Sequence, residues 1–103
     1  MIQLYHFKKD GSDKIWGWTK TFDGALSFWG RTRGSLSFKH HKHVWEVEDR
    51  ATEKHYKGYK LVSNYLQEAG PNGVWTIGPD ALELLPKDWK AQFMIAKLGQ
   101  TKF

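Results

Sequence analysis

Cysteine is absent from this 103-residue chain, which excludes disulfides and thiolate metal sites and fits a reducing compartment. Long hydrophobic runs are absent too: no stretch approaches the roughly 20 apolar residues of a membrane span. The opening MIQLYHFKKDG lacks the basic start and apolar core of a signal peptide. A soluble, intracellular (cytoplasmic) protein with no membrane partner is the expectation. Proline occurs only three times, at Pro71, Pro79 and Pro86. Carboxylates are few, since 11 Asp and Glu against 16 Lys and Arg leave a formal net charge of +5. That balance points to a polyanionic partner. Aromatic residues, by contrast, reach 16% with six tryptophans, so some rings are expected at the surface. With 40% apolar and 26% charged residues, the composition is that of one folded domain over residues 1–103.

The stretch from Ile15 to Phe38, IWGWTKTFDGALSFWGRTRGSLSF, carries the most information. Asp23-Gly24 lies between two apolar, alternating runs, the signature of a two-residue type I′ turn with positive φ at both positions. Such a turn sets Phe22 opposite Ala25, Lys20 opposite Ser27, Trp18 opposite Trp29, Trp16 opposite Arg31, and Gly17 opposite Gly30. Alternation places the first four pairs on one face. That face would set two indoles beside a guanidinium, able to stack on flat rings or sugars and to hold a phosphate. The alternative is that the tryptophans are core and Arg31 covers them with its methylene stem.

Around this hairpin, Ile2 to Phe7 reads as an opening strand, residues 8–13 as a turn, Thr32-Arg33-Gly34 as a second turn, and Ser35 to Lys39 as a further strand. The sheet is expected to have one polar and one apolar face. Lys39 to His43, KHHKH, reads as a basic loop. VWEVEDRATEKHY reads as a helix with a stripe of Val44, Val47, Ala51 and His55, a neighbouring stripe of Trp45, Thr52 and Tyr56, and Gly58 after its end. Tyr59 to Gln67 fits helix or strand. Pro71-Asn72-Gly73 marks a turn, Val74 to Ile77 a strand, and Gly78-Pro79-Asp80 the start of a short helix through Leu85. A last helix follows Pro86, with Trp89, Phe93 and Ala96 inward and Gly99 as its stop. The fold class is α+β: an antiparallel sheet of about four or five strands, one main helix packed on it, and a smaller helical C-terminal segment.

Over residues 2–62 the chain resembles a WGR domain, a family named for its Trp-Gly-Arg motif. Trp29-Gly30-Arg31 ends a strand, a helix follows, and Lys57-Gly58-Tyr59 closes it. In that family an antiparallel sheet packs against a helix ending Lys-Lys-Gly-Tyr. Its members occur in DNA-dependent poly(ADP-ribose) polymerases and in bacterial proteins, sometimes alone. The polymerase members bind DNA near strand ends, the motif Trp packing on a terminal sugar and the motif Arg linking DNA to neighbouring domains. The family usually continues with an aliphatic residue, Gly, then Gly-Gln, where this chain has Thr32-Arg33-Gly34-Ser35. The resemblance implies a non-catalytic nucleic-acid-binding module, for DNA (ends, nicks or single-stranded regions) ahead of RNA. Trp29 and Arg31 would take the family's roles, with residues 63–103 as an extension.

The hairpin register adds Trp16, Trp18 and Lys20 beside them. Gly30 would let the backbone approach a ligand or make room for a bulky partner. Arg31 and Arg33, with Lys39 and Lys42 of the basic loop, would hold phosphates. A protein-interaction module using the same aromatic face, or the C-terminal helix with Met94, Ile95 and Leu98, is the alternative function. Lys54, Lys57 and Lys60 recur at threefold spacing and read either as one basic side or as a solvated face. His40, His41 and His43 have no converging Cys or carboxylate, so no metal is expected. No Ser-His-Asp set, carboxylate pair or phosphate-cradling loop stands out, so neither a cofactor nor catalysis is expected.

Overall fold

A computed structural model describes residues 2–62, 67–69, 74–76 and 79–100, with the backbone alone for 67–69, 74–76, 79 and 97–100. The architecture is α+β. Strands β1 (Ile2–Lys9), β2 (Ser12–Thr21), β3 (Gly24–Arg31) and β4 (Ser37–His41) are followed by helix α1 (Val44–Lys57) and the short strand β5 (Lys60–Leu61). These five strands form one antiparallel sheet in the order β4-β3-β2-β1-β5. Strands β6 (Gln67–Ala69) and β7 (Val74–Thr76) pair with each other, and helices α2 (Pro79–Leu82) and α3 (Trp89–Gln100) follow.

The type I′ turn forms at the other Asp-Gly pair. Asp10 (φ 51°) and Gly11 (φ 82°) connect β1 to β2 with Lys9 opposite Ser12. At the second pair the loop is Phe22-Asp23, Thr21 faces Gly24, and only Gly24 has positive φ. The expected register is therefore corrected by one step on each strand. Trp16 faces Trp29, Trp18 faces Ser27, Lys20 faces Ala25, and Lys14 faces Arg31. A two-residue slide keeps every side chain on its expected face but changes its partner. Packing decides the slide. Phe28 sits opposite Gly17, where an added Cβ would lie 2.3 Å from the ring. The expected Gly17–Gly30 pairing would have left that space empty. Phe22, displaced from the ladder, projects from the tip and is 89% exposed.

Both faces of the sheet are covered, which corrects the expected polar face. On one side α1 lays Val47 over Trp16 and Ala25, with Tyr59 completing the cluster and Tyr5, Phe7 and Trp18 at its margin. On the other, Ala81, Leu85, Trp89 and Phe93 pack on Ile2, Leu4, Ile15 and Phe28. Phe93 meets Phe28 edge-on at 4.8 Å and Phe38 at 5.3 Å. Two further expectations change. Lys39, His40 and His41 are strand, because they pair with Ser27, Leu26 and Ala25. Helix α3 continues through Gly99 to Gln100. Helix α1 ends as expected, with left-handed Gly58 returning its N–H to His55. The expected turn at Pro71-Asn72-Gly73 lies outside the described residues.

Candidate nucleic-acid interface

Helix α1 leaves Trp29 partly uncovered, 39% exposed, while Trp16, packed with Val47 of the helix, is only 5% exposed. Between α1 and strands β3 and β4 opens a cleft of ≈ 320 Å³ lined by Trp16, Ser27, Trp29, Lys39, His41, Arg50 and Lys54. Its lining holds three cations and no carboxylate. Among the described residues the ion pair is His6–Asp13, and no carboxylate pairs with Lys39, Arg50 or Lys54. Lys54 lies 5.0 Å over the Tyr59 ring, and Lys14 leans over the same ring at 5.9 Å. Burial first, then repulsion from Lys57, Lys14 and Arg50, lowers the Lys54 pKa from its ordinary value. A bound anion would relieve that repulsion.

At the cleft floor Ser27, a buried polar side chain, lies 2.7 Å from His41 Nε2. Burial lowers the His41 pKa from the usual histidine value, and Lys39 lowers it further. A second cleft of ≈ 440 Å³ continues along α1, sharing Lys39, His41 and Arg50 and adding His40, Lys42, Trp45, Glu46, Asp49 and Glu53. Trp45 is 60% exposed and stacks on His43 at 6.0 Å.

Of the residues expected from sequence, the fold brings Trp16, Trp29 and Lys39 to the first cleft and Lys42 to the second. Trp16 is floor and core rather than a presented ring, so the face offers one accessible indole there, not two. Trp18 is half-buried and donates its indole N–H to Gln3 Oε1 at 3.1 Å. Lys20 pairs with Ala25, four residues or about 13 Å along β3 from Trp29. Gly30 faces Ile15, and a Cβ there would meet the Ser35 carbonyl at 2.6 Å, so loop backbone occupies its space. Arg31 is exposed and shares the Trp29 face by alternation, but it does not line the cleft.

Arg33 is exposed with φ 65°, its N–H donating to Leu84 O at 2.8 Å. The Arg31-Thr32 corner is fastened to β2, because Asp13 Oδ1 accepts from Thr32 Oγ1 at 2.5 Å and lies 2.6 Å from His6 Nε2. Those two hydrogen bonds lower the Asp13 pKa from the carboxylate norm.

Sequence reasoning missed Arg50 as a cleft residue, read His41 as part of a basic loop and Ser27 as a member of the hairpin face, and left Lys54 in a row with Lys57 and Lys60. The readable signal was Arg50 and Lys54 at i, i+4, flanking the inward Val47–Ala51 stripe. Among the described residues no group of three or more His, Asp and Glu converges as a metal site. No described helix is long and apolar enough to cross a membrane. The chain matches no family model, no curated protein and no solved structure.

Proposed function

We propose that the protein is a non-catalytic nucleic-acid-binding module of WGR type, with DNA as the favoured ligand. The observation that carries this reading is the Trp29 cleft: one accessible indole framed by Lys39, Arg50 and Lys54, none of which forms an ion pair with a carboxylate among the described residues. Trp29 stacks on a base or sugar, and the cations hold the flanking phosphates in charge-assisted bonds. Two details support the family likeness. Lys57-Gly58-Tyr59 closes the helix on the sheet, with Tyr59 buried against Phe7 at 5.0 Å. Arg33 takes the left-handed backbone at the place where the family has glycine.

Gel-shift titrations with blunt, nicked and closed circular DNA, alongside single strands, test the reading. Binding of at least one open or single-stranded form in the micromolar range or tighter is expected at low salt. A protein-interaction module is the second reading. The apolar groove of Leu36, Phe38, Ile95 and Ala96 favours it, with Ile95 70% exposed. Failure of every nucleic acid to bind leaves that second reading in place.

A further inference from the structure

The two clefts are not separate sites, because Lys39, His41 and Arg50 belong to both. Each holds a partly exposed indole: Trp29 in the first, and Trp45, backed by the His43 ring, in the second. From Trp45 to Lys54 is nine residues of α1, or about 13.5 Å at a rise of 1.5 Å per residue. At a stacked spacing of about 3.4 Å per nucleotide that length holds roughly four.

The walls of the second cleft differ in sign. Lys39 and Lys42 lie on the β4 side, while α1 contributes Glu46, Asp49 and Glu53 beside Arg50. Glu46 already accepts the His43 N–H at 3.2 Å in the helix cap. Asp49 and Glu53 are left to face the cleft. Phosphates are attracted to the lysine side and repelled from the carboxylates. Amino groups on base edges suit the carboxylates, as the cytosine N4 amine does. Base faces free to stack on both indoles belong to unpaired nucleotides.

From this geometry we infer that the joined clefts form one track for a single-stranded nucleic acid of about four nucleotides, its backbone along β4, one end stacked on Trp29 and the other on Trp45. The inference rests on the reading of the Trp29 cleft as a nucleic-acid site, and its test separates the two. Fluorescence anisotropy is measured with fluorescein-labelled oligodeoxycytidylates of two and of five nucleotides.

The pentamer is expected to bind about tenfold or more tightly than the dimer, since it adds a second stacking contact. Trp45→Ala should weaken the pentamer about 5- to 150-fold, the equivalent of one lost base stack, and leave the dimer unchanged. Lys42→Gln should also weaken only the pentamer, and circular dichroism checks that both variants fold. Trp29→Ala should weaken both oligomers. A pentamer bound no better than the dimer, or bound equally by Trp45→Ala, overturns the track while the Trp29 site stands. Absence of binding by either oligomer and by duplex DNA overturns both.

Discussion

Two tryptophans that sit opposite each other in the ladder have opposite fates. Trp16 lies under α1 against Val47 and Tyr59, and Trp29 reaches past the helix into the cleft. Truncating them should therefore separate stability from binding. Trp16→Ala should cost about 3–5 kcal/mol of folding free energy, read by chemical denaturation. Trp29→Ala should leave the denaturation midpoint close to that of the parent while weakening oligonucleotide binding about 5- to 150-fold. Asp13 gives a residue-scale test of the Arg31 corner. Its folded pKa is lowered by Thr32 and His6, so the stabilisation it supplies is present above its unfolded value near 3.8. It is lost as pH falls through the lower folded value. Asp13→Asn should speed amide exchange at Thr32, whose N–H bonds the Asp13 carbonyl, because the side-chain half of that clamp is weakened.

At the scale of elements, β4 brings His41 under α1, and the consequence is a pair of opposed pH effects. Burial and the neighbouring Lys39, Arg50 and His40 lower the folded pKa, against an opposing effect of Glu46. The unfolded chain then binds the proton more readily. Stability is full above the unfolded value of about 6.5, and it falls as pH drops from there toward the folded value. A phosphate in the cleft raises the His41 pKa, so oligonucleotide affinity should rise over the same descent. Thermal melts and anisotropy between pH 7.5 and about 5.5 should move in opposite directions, and His41→Gln should flatten both.

The strands and α1 were legible in the sequence because alternation, the Gly58 stop and the Val44–Val47–Ala51 stripe are local signals. The face of each hairpin tryptophan was legible for the same reason. The partner of each was not, because the fit of Phe28 over Gly17 is a cross-strand fact that outweighed the Asp23-Gly24 turn preference. Arg50 escaped notice, and His41 was read as loop, for a related reason. Their meeting at one cleft depends on where α1 crosses β4.

At the scale of the whole molecule, a helix on either side of one sheet divides the labour. The C-terminal helices supply core: Phe93 is fully buried against Phe28, Phe38 and Trp89, and Phe93→Ala should cost about 3–5 kcal/mol without touching the cleft. They also hold the loop after the Trp-Gly-Arg motif, where Leu36 N–H donates to Gln92 Oε1 at 2.9 Å. The opposite side, under α1, gathers Lys39, Arg50 and Lys54 at the cleft. The central claim is that these cations meet phosphates. Its most direct test is the salt dependence of binding to a single-stranded pentamer. With about four phosphate contacts, from Lys39, Lys42, Arg50 and Lys54, log affinity should fall against log salt with a slope near −3. The double variant Arg50→Gln, Lys54→Gln should reduce the magnitude of that slope by about 1.4. A slope near zero for the parent protein, or one that the double variant leaves unchanged, would contradict the account.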